Sequence, residues 1–210
     1  MVIDWGILPY EEAFQRQLEC VDRRLSGEMG DALIFVEHPP VYTIGRRPES
    51  KKHLLLSPEA LAQQGIALSE TNRGGDITHH APGQMVAYPI IDLKPYKDLH
   101  VYLRFLEETV IQTLLHFGVH SHRNPGKTGI WIGTQKIAAI GIAVRQWVTY
   151  HGVALNVDND LSLFNGIVPC GIPSTEGTVT HLQDHFPKPI SVENVKPIFA
   201  KCFWDGLRAW

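Results

Sequence analysis

Apolar residues recur along this chain with two periods, one helical and one alternating, and the two divide it into elements. Within residues 11–25, Phe14, Leu18, Val21 and Leu25 fall at helical spacing behind Pro9 and Tyr10, while Glu11 and Glu12 sit at the end of a helix dipole that favours negative charge. This predicts an amphipathic helix. A longer helix is predicted over 98–118, with Asp98 as cap, Gly118 as terminator and Leu103, Leu106, Val110, Leu114 and Phe117 on one face. Ser57 and Pro58 read as an N-cap and first helical residue of a short helix ended by Gly65. The tail from Ser191 is helical in pattern but contains Pro197, which predicts a short turn and then a helix to about Arg208.

Strand patterns fill the rest. Residues 32–36 and 41–44 read as two strands joined by the stiff connection His38-Pro39-Pro40, and a third lies near 66–68. Further β-type runs occupy 77–79, 85–93, 130–132, 136–144 and 153–157, with a turn at Gly133-Thr134-Gln135. Strands outnumber helices without strict βαβ alternation or an internal repeat. The predicted class is therefore α+β, a mixed or antiparallel sheet with packed helices, in a single domain over 1–210.

Composition narrows the function classes. With 44% hydrophobic and 20% charged residues, the chain has the make-up of an ordinary globular protein. A formal net charge of -3 lacks the electrostatic footprint of a nucleic-acid binder, so no nucleic-acid partner is expected. The most apolar run, 137–144, is too short to span a bilayer, and the start MVIDWGILPY lacks a basic segment followed by an apolar core. No membrane partner is expected. Cys20, Cys170 and Cys202 are an odd, sparse set without paired spacing, which argues against a disulfide framework or a zinc site and fits a reducing cytoplasm. The chain has 11 histidines, including His79-His80, His120 with His122, and His181 with His185, but no pair comes with a cysteine or carboxylate at ligand spacing. No metal is expected.

The densest basic cluster is Arg46, Arg47, Lys51 and Lys52, which is either a solvated surface or a docking patch for an acidic carrier protein. Candidate chemistry lies further on. Residues 73–88 read RGGDITHHAPGQMVAY, where two glycines after Arg73 permit close backbone approach and Pro82-Gly83 turns the chain back. Cys170 lies between Pro169 and Gly171 in a Gly- and Pro-rich loop over 166–177, whereas Cys20 and Cys202 fall in helical patterns that suit buried packing. Lys136 follows a tight turn and begins a strongly apolar strand.

Together the Arg73 stretch, Lys136 and VPCGI around Cys170 resemble the octanoyltransferases that make the lipoyl group, also called lipoate-protein ligase B. The resemblance extends over most of the chain. It implies the fold shared by biotin protein ligase and lipoate ligase catalytic domains, Cys170 as acyl-accepting nucleophile, Lys136 as its catalytic partner, and no cofactor. It also implies substrate-binding segments at Arg73, Gly74, Gly75, Asp76, Ile77, Thr78, His79 and His80, at Ala139, Ile140 and Gly141, and at Gly152, Val153 and Ala154. His79 stands where the family carries an aromatic residue, and Ala81 where it carries a glycine. The implied partners are octanoyl-acyl carrier protein as donor, with lipoyl domains of 2-oxoacid dehydrogenase E2 subunits and glycine cleavage H protein as acceptors.

This pairing has a chemical rationale. A free thiol is only about 3% thiolate at pH 7, and a neighbouring ammonium favours the anion. Two rival readings stand beside it. An ATP-dependent lipoate or biotin ligase shares the fold but needs a different phosphate-binding loop and no Cys170; a cysteine hydrolase would pair Cys170 with His80 or His151.

Overall fold

The computed structural model describes residues 1–168 and 177–209. Cys170, with most of the loop expected over 166–177, lies outside the described residues. Within them the chain forms two sheets and four α-helices.

The larger sheet contains β1 (Val2–Ile7), β2 (Ala32–Glu37), β6 (Gln84–Ile90), β10 (Val148–Asn156), β9 (Gln135–Arg145), β8 (Lys127–Ile132) and β7 (His122–Asn124), in that spatial order. The two-residue strand β11 (Thr178–Val179) adds to β9. Pairing is antiparallel except for β1 with β2 and β11 with β9, so the sheet is mixed. A smaller sheet holds β3 (Val41–Ile44) between β4 (Ala67–Glu70), parallel to it, and β5 (Thr78–His80), antiparallel. The His38-Pro39-Pro40 connection therefore takes the chain from one sheet to the other.

Strand alternation sorts the larger sheet's side chains into two cores. Ala32, Ile34 and Val36 of β2, and Val86, Tyr88 and Ile90 of β6, meet the helix α1 (Tyr10–Leu25). Leu33, Phe35, Met85 and Ala87 face the opposite way, towards α3 (Leu99–His116) and α4 (Val192–Arg208). Asp98 caps α3 as expected, its carboxylate accepting from the N–H groups of His100 and Val101 at 2.9 and 3.0 Å. A third cluster, built on Tyr42, Ile44, Ile77 and Phe164, lies under the smaller sheet with α2 (Pro58–Gln63), whose cap is Ser57.

Two expectations change. Helix α4 begins directly after Ser191 and runs through Pro197 instead of starting beyond it. The missing N–H costs the Glu193 carbonyl one partner near the helix start, while Val195, Phe199 and Phe203 bury the helix against α3 and the sheet. Asn194 reinforces the start by accepting the Ser191 N–H at 3.0 Å. Strand β10 begins at Val148, five residues before the pattern suggested, because Gln146 and Trp147, with φ of 50° and 69°, close a two-residue hairpin from β9. Among the described residues no helix is long and apolar enough to cross a membrane.

Candidate active site

The site forms where the segment leaving β4 crosses the larger sheet. Arg73 is buried, and its guanidinium returns to β3: Nη2 donates to Thr43 O at 2.6 Å and to Thr43 Oγ1 at 2.9 Å, and Nη1 to Gly74 O at 3.2 Å. An arginine can only donate, so Thr43 accepts from it; further along, the His79 carbonyl accepts from Gln84 Nε2 at 3.1 Å, which leaves Gln84 Oε1 as the acceptor and fixes the His80 tautomer. Thr43 hydroxyl donates to His80 Nε2 at 3.3 Å, and His80 Nδ1–H to Gln84 Oε1 at 2.7 Å. The Gln84 amide then donates to Asn156 Oδ1 at 2.8 Å. This line of donors joins the smaller sheet to β6 and β10.

The glycine pair contributes differently from its sequence reading. The Gly74 N–H bonds Ile142 O at 2.9 Å, and the loop carbonyls press against glycines elsewhere. A Cβ on Gly45 would lie 2.4 Å from Gly75 O, and one on Gly141 would lie 2.7 Å from Gly74 O. Gly75 itself needs left-handed backbone, φ 93°. The close approach is thus loop to sheet, and it roofs a cavity of ≈ 300 Å³.

Arg73, Gly74, Gly75, Asp76, Thr78 and His80 line that cavity from above. Ala139, Ile140 and Gly141 on β9 and Gly152, Val153 and Ala154 on β10 form its floor. The hairpin register makes the two floor segments meet: Gly141 pairs with Gly152, Ile140 with Val153 and Ala139 with Ala154. Lys136 lies in the lining too, at the start of β9. All three sequence-predicted segments therefore share one space.

Two expected residues do not. Alternation along β5 turns Thr78 and His80 to the cavity and sends His79 to the other side, between the Tyr42 and Phe164 rings at 5.3 and 5.2 Å. Ile77 joins that same third core. Neither residue is in the lining. Conversely, Tyr10, Arg47, Val86, Tyr88, Leu103, Lys127, Ile142 and His151 line it without having been assigned there. Tyr88 closes the motif stretch and His151 precedes Gly152, so sequence proximity was their available signal.

Lys136 packs closely against a glycine. Its stem crosses Gly129 of β8, where an added Cβ would come within 2.6 Å of Lys136 Cε and 3.1 Å of Nζ; Gly129 also has φ 120°. Its ammonium lies 5.7 Å from the centroid of the Trp131 ring, and that of Lys127 lies 5.8 Å from it. On the far side of Lys136, β11 pairs with β9, and Thr180 N–H donates to Lys136 O at 3.0 Å.

Among the described residues four histidines are buried: His38, His79, His80 and His151. Burial lowers the pKa of each, to about 4 for His38 and His79, to about 3 for His151, and well below the ordinary value for His80. The neutral tautomers follow from their partners. His38 Nδ1–H donates to Leu8 O at 2.7 Å while its Nε2 receives Tyr88 hydroxyl at 2.7 Å. Both ring nitrogens of His79 are buried without a hydrogen-bond partner among the described residues. No group of three or more metal-ligating side chains occurs among the described residues.

Comparison with known proteins places this arrangement. Residues 9–204 match the family described as the lipoyl protein ligase A/B catalytic domain. In structure the chain is similar to a putative lipoate protein ligase from T. acidophilum with bound lipoic acid, at TM-score 0.77 and 17% identity over 99% of this chain and 85% of that one. It is also similar to biotin protein ligase from Aquifex aeolicus in complex with biotin and ATP, at TM-score 0.61 and 10% identity over 99% and 69% of the two chains. The fold is thus that of the lipoate and biotin ligase catalytic domains. In sequence the chain is 45% identical to an octanoyltransferase of Gloeobacter violaceus over 97% of its own length and 88% of that protein's. It is likewise 45% identical to one of Rubrobacter xylanophilus, over 96% and 90%. The chain belongs to the octanoyltransferase family and is an acyltransferase.

Two outcomes follow from this geometry. Gly129→Ala is expected to destabilise the fold by about 1–3 kcal/mol, because at φ 120° its Cβ would come within 2.4 Å of Ala138 O and 2.6 Å of Lys136 Cε; an unchanged urea midpoint would show that β8 and β9 accommodate the methyl. The second concerns acid. Because the folded state depresses these histidine pKa values, the unfolded chain binds more protons between about pH 4 and 6.5, and stability falls as pH drops through that window. Uptake of up to four protons on unfolding limits the slope to about 5 kcal/mol per pH unit. The urea midpoint should be flat from pH 7 to 8 and fall below about pH 6.5, and His79→Phe should raise it and reduce the slope. A midpoint unchanged from pH 7 to 5 would contradict this account.

Proposed function

We propose that the protein transfers an octanoyl group from octanoyl-acyl carrier protein to the acceptor lysine of lipoyl domains, through an acyl thioester on Cys170. The acceptors are lipoyl domains of 2-oxoacid dehydrogenase E2 subunits and glycine cleavage H protein. The observation that carries this reading is the channel itself: Lys136 stands at one end of a floor of Ala139, Gly141, Gly152 and Ala154, small enough for a flexible saturated chain to lie across. β11, the strand that follows Cys170 in the chain, pairs alongside that lysine.

In this mechanism the Cys170 thiolate attacks the thioester carbonyl, a new C–S bond forms, and the carrier thiolate leaves and takes a proton. The acceptor lysine then attacks octanoyl-Cys170, the amide forms, and the Cys170 thiol is regenerated. An ordinary lysine is a free amine in only about one molecule in 2,500 at pH 7, so the second step needs a base. Lys136 serves both steps: as ammonium it favours the thiolate, and as free amine it relieves the incoming lysine of a proton. Amide formation makes the sequence favourable, and no cofactor takes part.

The donor approaches past a basic rim. Lys51 is paired with Glu70 at 2.6 Å and Lys52 with Glu49 at 2.7 Å, whereas Arg47 lines the cavity and Arg46 N–H bonds Arg73 O at 3.1 Å. Arg46 and Arg47 are both exposed, and Arg47 borders the cavity, so these two are the members of the cluster nearest to an incoming acidic carrier protein.

Intact mass tests the reading. Wild-type protein mixed with octanoyl-carrier protein, without ATP or magnesium, should gain one octanoyl group, lose it when an apo lipoyl domain is added, and leave it on that domain's lysine. Cys170→Ala should gain none, and in Lys136→Ala the alkylation of Cys170 should shift to higher pH. An ATP-dependent ligase would show no adduct until ATP and free acid were supplied, and a hydrolase would lose its adduct at a rate indifferent to the lipoyl domain. Reversing Arg46, which does not line the cavity, should slow acylation by octanoyl-carrier protein severalfold at low salt and spare a small octanoyl thioester; equal slowing of both donors would remove the docking role.

A further inference from the structure

The cavity has a built end. Along β10, Ala154 and Tyr150 face the α1 side, whereas Val153 and Leu155 face the α3 side. Continued alternation would send His151 to the α3 side with Val153. Its backbone is left-handed instead, φ 58°, a conformation that only glycine adopts freely. The imidazole consequently lies on the α1 side, stacked on Phe14 at 5.3 Å and edge-on to Tyr88 at 6.4 Å.

Several contacts hold it there. His151 N–H donates to Gln17 Oε1 of α1 at 2.7 Å, and Nε2–H donates to Asn72 Oδ1 at 2.9 Å. The Asn72 amide is itself oriented by donation to Tyr150 hydroxyl at 2.7 Å. A strained residue fixed from three elements and lining a cavity is an outlier that calls for a function.

Register gives the length it closes off. Asn156 pairs with Gln84 near the Lys136 end, and the floor continues through Ala154, paired with Val86, to Gly152. The five residues from Asn156 to Gly152 span about 13 Å at strand rise. An eight-carbon acyl chain, with seven bonds of about 1.5 Å in zigzag, spans about 9 Å. With its carbonyl near Lys136, such a chain ends short of the His151 and Tyr88 rings, and each added methylene moves its tip towards them. Both rings are buried and already hydrogen-bonded, so moving either aside breaks a bond as well as a packing contact.

Resting on the acyl-transfer reading above, we propose that His151 is the end stop that sets acyl-chain length, with Tyr88 as the neighbouring part of the same wall. His151 touches the chain's tip and takes no part in the transfer chemistry.

The test compares wild type, His151→Gly and His151→Asn as whole chains; glycine adopts φ 58° without strain and asparagine tolerates it. Acylation rates from octanoyl-, decanoyl- and dodecanoyl-carrier protein are read by intact mass, and affinities for the free eight-, ten- and twelve-carbon acids by calorimetry. The decanoyl-to-octanoyl ratio should rise about tenfold in His151→Gly, from about fourfold per methylene accommodated, and less in His151→Asn. A loss confined to stability, or equal for every chain length, would reduce His151 to a structural role and overturn the proposal. If His151→Gly does not fold, an unchanged ratio in His151→Asn overturns it. If wild type forms no adduct from any donor, the transferase reading fails, and the free-acid affinity ratios alone decide the end stop.

Discussion

The site depends on a buried guanidinium. Arg73 cannot accept a hydrogen bond and keeps its charge at any pH where the protein is folded, so the groups around it must all turn acceptors towards it. Thr43 meets that demand with its carbonyl and its hydroxyl, and the hydroxyl donates to His80 Nε2 because the His80 Nδ1–H is given to Gln84. From there one donor after another is fixed as far as Asn156, whose own amide ends on Thr180 O at 3.0 Å. The two sheets are thus related by a directed line of polar groups. Apolar packing alone, which tolerates sliding, would not hold the cavity roof over its floor with comparable definition.

Small residues make the complementary contribution. Gly141 and Gly152 sit side by side, and a Cβ on either would strike a backbone carbonyl, that of Gly74 at 2.7 Å or that of Ala87 at 2.3 Å. Their absence of side chains lets the roof descend and the central strands approach while leaving room above β9 and β10. The polar network fixes orientation, and the glycines fix distance.

The sequence made much of this legible, for physical reasons that differ by residue. Asp98 and Ser57 were readable because a cap is a local interaction that needs no knowledge of tertiary structure. The site segments could be grouped through family resemblance, and the hairpin register of β9 and β10 gives the reason they meet. That His79 and Ile77 face away from the cavity was not readable, because the direction of a side chain depends on where β5 begins, and a strand of three residues offers little period to fix its phase. The start of β10 was hidden because Gln146 and Trp147 adopt a hairpin geometry usually signalled by Asn-Gly. Strand β1 was missed for another reason: Asp4 and Gly6 weaken its pattern, and its partner β2 supplies the order. Cys170 lies outside the described residues, and its assignment rests on resemblance.

The order of strands in the larger sheet also bears on how the chain reaches its native state. Strand β6 pairs with β2 and with β10, each far from it in sequence, and Phe35 on β2 is covered edge-on by Phe199 of α4 at 6.0 Å. The half built from β7, β8, β9 and β10 is a meander of consecutive strands, but its junction with β6 and β2 cannot be completed locally, and one face stays uncovered until the final helix docks. Contacts of such long separation make folding slow, because loop-closure entropy is spent before apolar burial returns it. During that interval the apolar face built on Leu33, Phe35, Met85 and Ala87 is open to other chains, a hazard that belongs to the topology and not to the catalytic chemistry.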